Sequence, residues 1–193
     1  MKKLWILLLA ACLVLLAVQA LAESGEPAGE EFMFRGKIRW GMSEEEVTGL
    51  EGESEAAYEV NGFRVVNYGK TPVSRYHGYL SFVFSEDRLL LAGYGVMDED
   101  PGAFEYLEAA LSKVYGDELE TSVREFWEVA RTLNGDQAEL SEFQDILIRK
   151  WEAQGGTVIF LGAQGNSLEI SYISPEFMKI AGGTDQEIDI TGL

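Results

Sequence analysis

Tyr76-His77-Gly78-Tyr79-Leu80-Ser81-Phe82-Val83-Phe84, then Ser85-Glu86-Asp87, then Arg88-Leu89-Leu90-Leu91-Ala92-Gly93-Tyr94-Gly95-Val96 is the stretch that decides the fold. Both long runs are filled with aromatic, branched and leucine side chains, and the triplet between them is a polar turn signal. Phe63–Tyr68 has the same character and is separated from Tyr76 by Gly, Pro and Ser. Three antiparallel strands are the simplest reading, because short turns connect only antiparallel neighbours.

Upstream of these strands a helix start is written out. Ser43 as N-cap with Glu46 three residues on makes a capping box, and Met42 and Val47 can close a hydrophobic staple around it. Glu44, Glu45 and Glu46 suit the positive end of the helix dipole, and Gly49 and Gly52 keep the helix short. Downstream, Asp100-Pro101 reads as an N-cap followed by an N1 proline. Phe104, Leu107, Leu111 and Val114 then recur at helical spacing until Gly116. Ser122 and Glu125 form a second capping box, with Val123, Phe126, Trp127, Ala130 and Leu133 on one face up to Asn134-Gly135. Leu140, Phe143, Leu147 and Trp151 fit a helix, whereas Ile146–Trp151 also suits a strand. The reading adopted is a short helical turn over Gln137–Gln144 and a strand over Asp145–Ala153. Strands at Thr157–Gly162 and Ser167–Ser174 follow, and Pro175 ends the sheet.

Helix followed by three strands thus occurs twice. The expected class is α+β, with an antiparallel sheet packed against helices, in one domain over residues 32–179. Residues 23–31 form an acidic linker and residues 180–193 a flexible tail, since neither has apolar side chains at a regular period to bury.

The first 22 residues read as an export signal: Lys2 and Lys3, an apolar run from Leu4 to Val18, and Ala20-Leu21-Ala22 ahead of acidic residues. Three outcomes fit this leader. Cleavage after Ala22, leaving Glu23 as the first residue, matches the small-x-small pattern and the abrupt change in polarity. Leu9-Ala10-Ala11-Cys12 resembles a lipobox, which would lipidate Cys12, although the next residues, Leu13-Val14-Leu15-Leu16, are apolar where a polar tether is expected. Retained, Leu4–Ala22 is near the minimum length that spans a bilayer. All three place the rest of the chain outside the cytoplasm, secreted or attached to the envelope.

Cleavage after Ala22 leaves 171 of the 193 residues, enough for one ordinary core. Lys2 and Lys3 depart while no acid does, so 13 basic side chains face 33 acidic ones, a net charge near −20. Nucleic acid and anionic lipid are disfavoured as partners, because phosphates meet a field of like sign. A protein, basic if charge selects it, is the expected partner, and membrane association would come only through an uncleaved anchor or a lipidated Cys12. The chain without its leader has no thiol, so packing alone must hold it.

No chemistry is spelled out along the chain. His77 is the only histidine and has no nucleophile signature around it. One histidine and carboxylates make a poor zinc set, and Asp98-Glu99-Asp100 lacks the loop spacing of a calcium hand. Gly69-Lys70-Thr71 lacks the upstream glycine of a phosphate loop. Trp40, Trp127 and Trp151 fall at core periods more readily than on a sugar-binding platform. The expectation is therefore no catalytic residue, no metal, no cofactor and no assignable binding residue.

Phe34–Val47, an aromatic strand leading through Trp40-Gly41-Met42-Ser43 into a capped helix, resembles a motif of secreted proteins and lipoproteins of Gram-positive bacteria, especially clostridia. Tyr79–Phe84 with Leu89–Tyr94, Leu107–Gly116, and Trp151-Glu152 with Thr157–Leu161 and Ile170–Ser174 resemble the hairpin, helix and closing strands of that group. The Gly-Met-Ser-x-x-Glu-Val core is more distantly similar to small outer-membrane-assembly lipoproteins of the SmpA/OmlA type and to the β-lactamase-inhibitor-protein fold. The resemblance implies an exported, non-enzymatic module that binds another envelope or secreted protein. The alternative is a small cell-wall hydrolase or carbohydrate-binding protein. Residues 118–144 depart from the pattern and carry no assigned role.

Overall fold

The computed structural model describes residues 31–97, 100–135, 139–143 and 145–182. Within them, helix α1 (Glu44–Glu51) precedes strands β1 (Ala56–Val60), β2 (Phe63–Val73), β3 (Tyr76–Ser85) and β4 (Arg88–Met97). Helices α2 (Ala103–Tyr115) and α3 (Val123–Asn134) come next, with a 3-10 turn at Leu140–Phe143. Strands β5 (Leu147–Ala153), β6 (Thr157–Gln164) and β7 (Ser167–Ile173) and helix α4 (Pro175–Gly182) complete the order. The strands form a seven-stranded sheet in the order β1-β2-β3-β4-β7-β6-β5, with every neighbouring pair antiparallel. Two meanders therefore meet where β4 pairs with β7.

The α+β class and the antiparallel sheet agree with the sequence reading, and β1 adds a fourth strand to the first group. Its hairpin with β2 closes at Val60↔Phe63 around Asn61 and Gly62, whose φ angles are 47° and 82°. That is the left-handed pair a two-residue hairpin needs, and Asn-Gly adopts it at the least steric cost. The sequence reading does not include β1, which is short and exposed on both sides.

Helices cover both faces of the sheet. On the first face α1, α2 and the Phe32–Trp40 segment pack on Phe82, Phe84, Leu89, Trp151, Ile159 and Leu161. On the second, Phe126 and Val129 of α3 and Phe177 and Ala181 of α4 pack on Val83, Leu90, Leu91, Ile148, Phe160 and Ile173. A strand covered on both sides needs an apolar run rather than an alternation, which explains Phe82-Val83-Phe84. Leu90 is the extra residue of a bulge, since Val83 pairs with Leu91 and Phe84 with Leu89. Leu90 and Leu91 consequently share the second face.

The Trp40–Ser43 segment docks by backbone bonds. Gly41 N donates to Leu89 O at 2.9 Å and Leu89 N to Met42 O at 2.8 Å, beside β4 and beyond the end of its pairing with β7 at Leu91. Glu46 N then donates to Ser43 Oγ at 3.2 Å and Ser43 N to Glu46 Oε2 at 2.9 Å, which is the expected capping box. Val47 is buried and Met42 packs on the same cluster, consistent with the staple.

Several local expectations are corrected. Helix α2 starts at Ala103 with Gly102 as its N-cap rather than at Pro101, because Asp100 turns the chain one step earlier by accepting from Gly102 N at 3.0 Å. Val114 ends on the exposed side of α2. At α3 Ser122 accepts from Glu125 N, but the Glu125 carboxylate binds Lys150 Nζ and the Thr121 hydroxyl instead of returning to the cap. A cation outcompetes a neutral amide for that oxygen. The buried face of α3 carries Phe126 and Val129, while Trp127 lies half-buried beneath Arg131. Pro175 opens α4, and the folded part reaches Gly182 rather than Lys179, since Ala181 is buried. The expected turn at Gln137–Gln144 is found as Leu140–Phe143; Gln137 and Gln144 themselves lie outside the described residues.

Candidate functional site

The residues singled out for chemistry are dispersed. His77 is exposed on β3 opposite Pro72. Gly69 and Lys70 lie at the irregularity of the β2–β3 register, and Thr71 Oγ1 donates to Gly69 O at 2.9 Å. Trp151 is fully buried, with its indole N–H on Ser112 Oγ. Trp40 stacks on Phe32 at 5.7 Å and donates to Thr157 Oγ1 at 2.8 Å. With Trp127 on the other face, the tryptophans share no platform. Glu44 holds Arg64 through both carboxylate oxygens, at 3.0 and 3.2 Å. Asp98 and Glu99 lie outside the described residues, as do Cys12, Ala22 and Glu23.

Asp100 binds a cluster that joins the β2–β3 hairpin to α2. Arg75 Nη2 and the Tyr76 hydroxyl both donate to Asp100 Oδ2, at 2.8 and 2.9 Å, and the Arg75 guanidinium lies over the Tyr106 ring at 4.0 Å. The Gly102 N–H, followed by the Tyr76 hydroxyl and Arg75, holds the Asp100 carboxyl below its ordinary range. Among the described residues no group of His, Cys, Asp and Glu is arranged to hold a metal, and no helix is long and apolar enough to cross a membrane.

On the first face, Tyr94, Tyr115 and Tyr172 meet beneath α2, and Tyr172 also packs against Phe34 at 5.0 Å. Burial pushes all three phenols above their ordinary range, most strongly Tyr172, so they stay neutral. A cavity of about 220 Å³ opens beside them toward Pro72 and Ser74. The Tyr94 hydroxyl accepts from Arg35 Nη1 at 3.4 Å and Ser74 Oγ shares a hydrogen bond with the Tyr106 hydroxyl at 2.9 Å, which suits a packing role.

The sheet edges differ from each other. At β5, Leu119 N donates to Lys150 O at 2.8 Å, Arg149 pairs with Glu108 at 2.6 Å and Glu118 at 2.8 Å, and Lys150 pairs with Glu125. The segment Glu118–Glu125, unassigned from sequence, thus straps one edge. At β1 no outer partner exists among the described residues, and Ala56–Val60 contains neither proline nor lysine. Tyr58 projects from it, 49% exposed.

Beside β1 the second face is only partly covered. The last turn of α3 is tied to the β1–β2 turn by Asn61 Nδ2 donating to Thr132 O at 3.0 Å. Beyond that helix a groove of about 360 Å³ runs over the sheet, with Tyr58, Val60 and Leu133 as walls and Ser81, Gly93 and Gly95 as floor. Glu169 stands at its far side as the only charged residue among the described lining residues. Sequence reasoning missed these residues, since only the β3-β4-β7 register makes Tyr79, Gly95 and Glu169 neighbours.

No protein-family model, curated protein or solved structure matches the chain.

Proposed function

We propose that this chain is an exported, non-enzymatic α+β module that binds another envelope or secreted protein by accepting an extended segment along β1. The observation that carries this reading is the asymmetry of the sheet. One edge is strapped by Leu119 and three ion pairs, while the other presents Ala56–Val60 with no outer strand among the described residues. Unpaired backbone groups on a strand accept another strand, and side-chain pockets beside it supply specificity. A net charge of −18 for the whole chain favours encounter with basic surfaces. A cell-wall hydrolase would instead call for paired carboxylates beside a row of exposed aromatics, and the groove brings together Tyr58 and the single carboxylate of Glu169.

The test is a photo-crosslinking residue at Ala57 in the protein expressed with its leader in an exporting host. We expect one protein species to be captured from the envelope or medium, and none from the same residue at Glu105 on exposed α2. Equal capture at both positions, or capture of glycan alone, would reject the edge as the contact.

A further inference from the structure

Strand glycines weaken a sheet, so each calls for a reason. For most of the glycines in these strands the reason is packing. A Cβ at Gly78 would lie 2.4 Å from Gly95 O, one at Gly93 3.0 Å from Ile170 O, and one at Gly162 3.3 Å from the Phe126 ring. Gly95 differs, because a Cβ there meets nothing within 4 Å and its φ is not left-handed. Neither neighbours nor backbone conformation require a glycine at this position near the end of β4, and the space over it is open.

The flanks of that space are complementary to one kind of group. Gly95 pairs with Tyr79 on β3 and with Glu169 on β7, so the ring and the carboxylate stand on either side of it on one face. At a strand spacing of about 4.8 Å, their backbones are roughly 10 Å apart. Tyr79 is 57% exposed and Glu169 is exposed. Glu169 Oε1 accepts from Ser171 Oγ, which fixes the carboxylate on the sheet. Among the described lining residues of the adjoining groove there is no lysine or arginine to neutralise it. Apolar walls, an aromatic ring and one carboxylate suit a long side chain with a cationic head, whose alkyl stem covers apolar surface while the head faces the acid.

We infer that Gly95 and the groove beside it receive a lysine or arginine side chain, between Tyr79 and Glu169, from a part of the partner protein that lies over the second face of the sheet, inward of the segment paired along β1. This rests on the protein-binding reading above and adds what the partner must carry. The test is fluorescence anisotropy of the full chain, purified from an exporting host, with a fluorescein-labelled octapeptide of alternating threonine and lysine. Matched peptides carry norleucine or glutamate in place of lysine, and an N-acetylglucosamine tetrasaccharide serves as competitor. We expect binding of the lysine peptide, weakened about ten-fold by Glu169→Gln with no change for the norleucine peptide. Gly95→Val, which fills the open space, should weaken it by at least about ten-fold while leaving the thermal midpoint unchanged or higher. The inference is overturned if the lysine peptide fails to bind or binds no better than the glutamate peptide. It is equally overturned if Gly95→Val binds normally, if the tetrasaccharide displaces the peptide, or if sedimentation shows a second copy of the chain on this face. Capture from Ala57 without lysine-peptide binding would retain the edge contact and reject the groove.

Discussion

Replacing Thr157 with valine keeps the shape of a fully buried residue but removes the hydroxyl that accepts the Trp40 indole N–H at 2.8 Å. This bond joins the segment ahead of α1 to the first residue of β6, so it crosses between the two meanders. Trp40 is only partly buried, and its stranded N–H can reach some water, which puts the cost at about 1 kcal/mol, the low end for an unsatisfied donor. Trp40→Phe is worse, at about 2 kcal/mol, because it strands a hydroxyl in a site with 0% exposure and also loses part of the stacking on Phe32. With both changed neither partner is stranded, so the double variant should cost about 1 kcal/mol less than the sum of the singles. For a domain of this size each 1 kcal/mol moves the melting midpoint by about 2–4 °C. Urea unfolding followed by two probes measures all four corners of the cycle. Additivity within about 0.3–0.5 kcal/mol would falsify the claim that this bond holds the two meanders together.

Three further outcomes are expected. Ser43→Ala should cost about 1 kcal/mol and Glu46→Ala less, read by thermal melts, and unchanged midpoints would mean that the capping box contributes nothing. Asp100 has a folded-state carboxyl held below its ordinary value, so its contribution is present above about pH 4 and is lost as pH falls through the folded value. Acid titration of stability should therefore be shallower in Asp100→Asn than in the parent, and parallel curves would remove Asp100 from the acid response. Intact mass of protein made in an exporting host should correspond to a chain beginning at Glu23; a lipid on Cys12 or retention of residues 1–22 would rule that out.

Sequence patterns were most informative where one local cause acts alone. The Ser43–Glu46 box, the Ser85–Arg88 turn and the stop at Gly116 each depend on residues within a few positions, and the chain adopts them as read. They were least informative where tertiary partners decide. Val114 is at helical spacing with Leu107 and Leu111, but α2 meets the sheet on a narrower stripe and leaves it exposed. Glu125 has the spacing of a capping box, but β5 brings Lys150 to it and takes the carboxylate away. Leu90 cannot be recognised as a bulge until Val83 and Phe84 have chosen their partners. Asn61-Gly62 is a legible hairpin signal, but the strand before it buries little and has no apolar alternation to mark it.

The candidate site was illegible for a related reason. A glycine in a strand has no meaning until its cross-strand neighbours are known, and in one sequence Gly78, Gly93, Gly95 and Gly162 look alike. Tertiary neighbours separate them: Gly95 O lies against Gly78 and the Phe126 ring against Gly162, while the β4–β7 pairing brings Ile170 against Gly93 and sets Glu169 beside Gly95. The same pairing joins the two meanders and decides which edges remain outermost, leaving β1 at one and β5 at the other. An edge with no outer strand among the described residues, an open strand position at Gly95 and the carboxylate of Glu169 beside it are therefore set by one strand order. Had β7 paired elsewhere, Gly95 would have lacked both its carboxylate neighbour and the groove. The β4–β7 pairing is thus a structural fact that the edge and the groove readings share.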